Sequence, residues 1–223
     1  MGYRMWRRGG SLLPVTGKKG FFDLAYGKSE AQKLDIWLPD TEGPFPVIIS
    51  IHGGGFVACD KRQKEMLEPM LYGLDKGFAV CALNYRLANE ARFPEPVKDI
   101  KQAIRFLKAN AANYNLLPDK MIVWGGSAGG YMTLMACLFT NDIYYDNEMD
   151  PNLRTPADIA GGVAWYPLTD IAACDDELEI NSLINQFLTN GTPDSSEEYE
   201  PAMPYHWTRS SHFITVRDGF PCF

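Results

Sequence analysis

Positive charge is in deficit in this sequence. Lys and Arg number 21 against 28 Asp and Glu, a formal net charge of −7 with a pI of about 5.0. A protein that tracks a phosphate backbone needs a basic surface, so no nucleic-acid partner is expected. An anionic membrane surface repels the chain on the same ground. Long apolar runs are also missing. Nothing approaches the roughly 20 consecutive apolar residues of a membrane span. Arg4, Arg7 and Arg8 precede only a short apolar stretch at residues 11–15, and Lys18 and Lys19 follow it. No secretory signal is expected from that pattern. The five cysteines are odd in number and lack metal-ligand spacing, and Cys81 and Cys137 lie in apolar runs. That usage speaks against a disulfide framework or a metal site, and for a reduced, cytoplasmic protein. Internal repeats and low-complexity tracts are absent as well.

What is present is a globular composition. In 223 residues, 46% are hydrophobic and 22% charged, close to the globular average. The length suits one α/β domain with a core that needs no metal or disulfide. Residues 1–20 read as a loose lead-in, and the domain as residues 21–223. Residues 21–26 and 33–38 read as strands joined by the hairpin chemistry of Gly27-Lys28-Ser29. In the second of these, Leu34, Ile36 and Leu38 alternate with Lys33, Asp35 and Trp37, the pattern of a half-buried strand. Residues 47–51 and 78–83 are continuous apolar runs, which marks strands buried on both faces. A helix is expected over residues 63–74, with Pro69 kinking or splitting it. Another is expected over 95–112, with Val97, Ile100, Ala103, Ile104 and Leu107 on one face. Residues 121–124 and 161–166 read as strands, and 128–139 as a helix. Strands alternating with helices through short connections predict a three-layer α/β sandwich with a mostly parallel sheet. Residues 141–158 read as a polar loop. A last helix is expected over 177–188, inside an acidic segment (171–200) that reads as either a cap over a site or an outer crossover helix. Residues 201–223 form an atypical tail without a clear period.

Two motifs carry chemistry. Gly125-Gly126-Ser127-Ala128-Gly129 is a G-x-S-x-G set between a predicted strand and a predicted helix. That turn is so tight that its flanks tolerate almost no side chain. It forces the central serine into a strained backbone with its hydroxyl exposed, the geometry of a nucleophile. The new helix aims unpaired N–H groups at the same point, where they favour developing negative charge. Directly after the strand at 47–51 comes His52-Gly53-Gly54-Gly55-Phe56. Bare backbone amides in such a run converge on an oxyanion. The expected hole comprises the N–H groups of Gly54, Gly55 and Ala128. His52 then holds the loop and is not the base. A dinucleotide fingerprint over Gly53, Gly55 and Ala58 is the rival. It needs an acid at the end of the next strand to hold a ribose, and Leu83-Asn84-Tyr85-Arg86 supplies none.

With these motifs the sequence resembles the α/β-hydrolase fold esterases and lipases, in the branch of hormone-sensitive lipase and the acetyl- and feruloyl-esterase-like hydrolases. The stretches at residues 31–39, 84–87 (Asn84-Tyr85-Arg86-Leu87) and 93–99 (Phe93-Pro94-Glu95-Pro96-Val97-Lys98-Asp99) add to the likeness. The resemblance runs from about residue 22 to 170. It implies hydrolysis of a small-molecule carboxylic ester, of short acyl or aryl type, through a Ser–His–Asp triad without cofactor or metal. Tyr85, Arg86 and Asp99 look like buried scaffold residues that brace the site.

The family order is serine, acid, then histidine. The only histidines after Ser127 are His206 and His212, and neither stands in the family's context. If residues 213–219 are the later strand, the acid position falls on Cys222 and the base lies past residue 223. On that reading the chain is a truncated hydrolase and a catalytically incomplete remnant. Its exposed sheet edge would be a hazard for homo-oligomer formation or aggregation. The alternative keeps the triad inside the chain, with Asp170 as acid and His206 or His212 as base. Chain order permits it, because geometry and not position defines a triad.

Overall fold

The computed structural model describes residues 11–169, 180–188 and 215–216. Seven strands form one sheet: β1 (Gly20–Ala25), β2 (Lys33–Trp37), β3 (Phe45–Ile51), β4 (Ala79–Leu83), β5 (Leu116–Gly126), β6 (Gly161–Trp165) and β7 (Thr215–Val216). Their order is β1-β2-β4-β3-β5-β6-β7. The β1–β2 and β2–β4 pairs are antiparallel, and the pairs from β4 through β3, β5 and β6 to β7 are parallel. The helices are α1 (Lys64–Leu71), α2 (Glu95–Ala109), α3 (Ala128–Leu138) and α4 (Ile180–Leu188). Among the described residues, no helix is long and apolar enough to cross a membrane.

Period-two alternation along the parallel strands divides the core between the two faces. Val47, Ile49 and Ile51 of β3 share one cluster with Ile100, Ile104 and Leu107 of α2 and with Tyr131 and Met135 of α3. Ile48 of β3 and Val80 and Ala82 of β4 join Leu67 and Met70 of α1 in the other. Each fully buried Ile or Leu contributes about 1.5–3 kcal/mol relative to exposure, so α2 is held mainly by its apolar face.

Several elements depart from the sequence expectation. In β2, Asp35 and Trp37 are as buried as Leu34 and Ile36, so the strand is covered on both faces. Asp35 is sheltered because Arg62 Nε donates to it at 2.6 Å and the Asp23 amide at 2.6 Å, with Lys61 Nζ 3.4 Å away. The same two cations draw the Asp23 carboxyl down to about 2. The helix at 63–74 is shorter, Lys64–Leu71. It carries Pro69 inside and gives way to a 3₁₀ turn at Leu74–Lys76. The expected helix over 95–112 ends at Ala109, with a separate 3₁₀ turn at Ala111–Tyr114. Residues 11–13 are not loose: the Leu13 amide bonds the Arg62 carbonyl, and the Lys64 amide bonds that of Ser11.

One buried carboxylate ties these layers together. Asp99 of α2 is fully buried. It accepts from Arg86 Nη2 at 2.6 Å and Nε at 2.9 Å, from the Arg86 amide at 3.0 Å and from Gln32 Nε2 at 2.7 Å. Asp99→Ala leaves the Arg86 guanidinium without its fork. It is expected to destabilise the fold by roughly 3 kcal/mol, the low end for a broken buried pair because Arg86 is partly exposed. Urea unfolding of the variant measures this, and a loss below about 1 kcal/mol contradicts the bracing role.

Candidate active site

Strand β5 passes into α3 through a single residue, Ser127. Its backbone lies at φ 56°, ψ −123°, a region that side chains rarely adopt. Ser127 is half-buried. Its amide donates to the Trp165 carbonyl at the end of β6 (3.0 Å), and its carbonyl accepts from Tyr131 one turn into α3 (3.0 Å). The glycines around it are needed for close approach. A Cβ at Gly129 would lie 2.1 Å from the Ile51 oxygen, and one at Gly125 2.3 Å from the Gly129 oxygen.

Register carries the glycine loop to the same place. Ile51 pairs with Gly125 across the β3–β5 ladder, so the strand ends are adjacent and the chain leaving β3 runs beside the bend. A Cβ on Gly53 would lie 2.8 Å from the Gly126 oxygen and 3.4 Å from the Ser127 Cβ. Gly54, Gly55 and Phe56 all have positive φ (106°, 59° and 64°), which reverses the loop on itself. Among the described residues, the amides of Gly54 and Gly55 donate to no acceptor. Ala128, buried and first in α3, has an amide with no partner within its own helix.

The loop is held from behind. His52 is buried, its Nδ1 lies 2.8 Å from the Gly53 oxygen, and its ring stacks on Tyr85 at 4.6 Å. That oxygen only accepts, so Nδ1 carries the proton. The Tyr85 hydroxyl donates to the His52 carbonyl at 3.0 Å. Burial pulls the imidazole pKa below its ordinary value and keeps the ring neutral. The unfolded chain therefore takes up a proton first, below its pKa of about 6.5. Stability contributed by neutral His52 is present above that pH and is lost as pH falls toward the depressed folded value. Urea midpoints measured between about pH 7.5 and 5 are expected to fall less steeply in His52→Phe than in the parent. Equal slopes would contradict a buried neutral imidazole.

Further support comes from the end of β4. Asn84 Nδ2 donates to Asp60 at 2.8 Å, and its Oδ1 accepts from the Lys61 amide at 2.6 Å. Those bonds anchor the segment whose Ala58 and Cys59 press on Gly54.

Two neighbours of the site escaped the sequence reading. Leu183 of α4 lies over Gly55, with Cδ1 2.6 Å from where a Cβ on that glycine would be. Tyr166, just past β6, is half-exposed at φ 36°, and its hydroxyl lies 2.8 Å from the corresponding point on Gly126. Neither has a motif, and only the positive φ of a non-glycine marks Tyr166. The candidate acid Asp170 and the candidate bases His206 and His212 lie outside the described residues. Among the described residues, no group of three or more His, Cys, Asp or Glu is arranged to hold a metal ion.

Comparison with known proteins gives the family and the fold. The BD-FAE family model matches residues 34–215. The chain is 35% identical over 161 residues to a probable carboxylic ester hydrolase, LipM, of Mycobacterium tuberculosis, covering 70% of this chain and 36% of that protein. It is 30% identical to the versiconal hemiacetal acetate esterase of Dothistroma septosporum, over 66% of this chain and 42% of that one. Among the first matches, the chain spans about a third of the relatives' length. A bifunctional GH43-CE protein of Bacteroides eggerthii superposes with a TM-score of 0.74 at 26% identity, over 84% of this chain and 29% of its own. A truncated carbohydrate esterase from gut microbiota shares the fold, with a TM-score of 0.74 at 24% identity over 90% of this chain and 75% of its own. The chain belongs to the BD-FAE family and has the α/β-hydrolase fold.

Proposed function

We propose that this chain is a serine hydrolase of carboxylic esters, acting on short acyl or aryl esters through an acyl-enzyme. One observation carries the reading: the strained, half-buried Ser127 stands at a strand-to-helix bend beside a loop whose Gly54 and Gly55 amides donate to no acceptor among the described residues. Ser127 Oγ attacks the carbonyl carbon. The displaced electron pair rests on the carbonyl oxygen, held by the amides of Gly54, Gly55 and Ala128. The bond to the alcohol oxygen then breaks, and the alcohol leaves with the serine's proton. Water attacks the acyl-enzyme in the same way and releases the acid.

A serine hydroxyl is a weak nucleophile until an imidazole takes its proton. Chain order offers Asp170 with His206 or His212 for that half of the mechanism. The names of ester hydrolases similar to this chain support the substrate class. Among the described residues, Cys59, Cys81 and Cys137 are free thiols, which supports a reduced, cytoplasmic setting.

The test is covalent capture. The chain is incubated with a fluorophosphonate, and the adduct is located by peptide mass spectrometry. Modification of Ser127 is expected. A chain that stays unmodified, or is modified elsewhere, overturns the reading.

A further inference from the structure

We propose that Leu183 limits the length of the acyl chain this protein accepts, a reading that rests on Ser127 being the nucleophile. Leu183 is 9% exposed, and its side chain lies directly on Gly55, one of the three residues assigned to hold the oxyanion. An ester whose carbonyl oxygen rests on the Gly55 amide is held beside this side chain.

The helix that carries Leu183 is firmly placed. Phe187, one turn on, is fully buried and stacks on Phe56 of the glycine loop, with ring centroids 4.0 Å apart. It also meets Tyr131 of α3 edge-on, at 5.7 Å. The Phe187 carbonyl accepts from the Phe93 amide at 2.8 Å, and Ile184 is buried in the same core. Leu183 therefore cannot swing aside as an exposed side chain would.

The side of the site on which Leu183 stands decides which part of the ester it meets. The alcohol must depart after acylation, whereas the acyl chain stays until water releases it. Ile184 and Phe187 of the same helix, and Phe56 stacked on Phe187, are all buried, so among the described residues the packing around Leu183 offers a departing alcohol no opening. Tyr166, whose hydroxyl lies against Gly126 next to Ser127, is 51% exposed and leaves a route to solvent there. The acyl chain therefore occupies the closed flank, and the Leu183 side chain ends the room available to it.

The experiment reads acylation alone, so it does not depend on turnover. The probes are p-nitrophenyl phosphonates carrying a methyl or a hexyl group on phosphorus. Ser127 Oγ forms a bond to phosphorus, the phosphorus–aryloxide bond breaks, and p-nitrophenolate leaves with the electron pair while the serine proton passes to solvent. The rate of nitrophenolate release is measured for each probe, and the adduct is mapped to Ser127. The parent is expected to favour the methyl probe. Leu183→Ala is expected to raise the hexyl-to-methyl rate ratio by about ten-fold or more, the scale of a few methylenes in an apolar pocket. Leu183→Val, which keeps more of the packing, is expected to shift the ratio less and in the same direction. Gln186→Ala, on the exposed side of the same helix, is expected to leave it unchanged. Adducts at Ser127 whose ratio stays within about two-fold in both Leu183 variants overturn the proposal. Failure of the parent to react at Ser127 with either probe overturns the hydrolase reading itself, and this proposal with it.

Discussion

Ser127→Ala is expected to abolish capture by a fluorophosphonate and to lower ester hydrolysis by at least about 10³-fold, while the fold stays intact. The nucleophile supplies the atom that becomes bonded to the substrate, so no neighbour substitutes for it. What survives such a loss in triad enzymes is only the modest catalysis from the oxyanion hole and binding. The structural side of this prediction is equally specific. The Ser127 side chain makes no capping hydrogen bond to α3. Alanine at the same φ of 56° carries the same strain, so the urea midpoint is expected to correspond to a change within about 0.5 kcal/mol. Ser127→Gly removes the Cβ that makes this conformation costly. It is expected to be inert yet more stable, by about 1 kcal/mol. A Ser127→Gly variant that melts below the parent would mean that the bend stores no strain. A Ser127→Ala chain that still reacts with the probe at the parent's rate would remove the chemistry from this serine.

Gly129→Ala is expected to leave little folded protein. The added Cβ would stand 2.1 Å from the Ile51 oxygen, 2.7 Å from the His52 oxygen and 2.8 Å from the His52 carbonyl carbon. All three are backbone atoms, so no side chain can rotate away. Relief requires α3 to withdraw from β3, which opens the cluster of Ile49, Ile51, Tyr131 and Met135. A loss above about 4 kcal/mol is the expected scale for such enforced overpacking. Domains of this kind have only about 5–15 kcal/mol to lose. Soluble yield and near-ultraviolet circular dichroism read the outcome. Gly161→Ala is the control: among the described residues nothing lies within 4 Å of its Cβ position, and a change within about 0.5 kcal/mol is expected. Normal folding of Gly129→Ala would show that the strand and helix backbones are not in the contact described.

Much of the fold was legible because the residues that build it obey local rules. The apolar runs in β3 and β4 marked strands covered on both faces, and both strands are buried almost throughout. The apolar face of α2 has its predicted members, and its prolines sit at the helix start, as a missing amide there allows. The misreadings also have physical causes. Alternation in β2 implied one wet face, yet Asp35 is buried because Lys61 and Arg62 approach from 26 and 27 positions further along the chain. Strand β5 begins five residues before the apolar run that marked it, because Leu116 pairs with Phe45. No local pattern records such a pairing.

Residue type alone sets the local conformations of the site. Glycines at 54, 55, 125 and 129 stand where positive φ or close backbone approach excludes other residues, and Ser127 is placed between two of them. The meeting of these two glycine-rich turns, with Leu183 against Gly55 and Tyr166 against Gly126, comes from long-range packing. The reason is that the parallel ladder joins β3 to β5 across about seventy residues of chain, aligning Ile51 with Gly125. Strand registry and helix packing at such separations are set by the whole core, and no stretch of residues carries them alone.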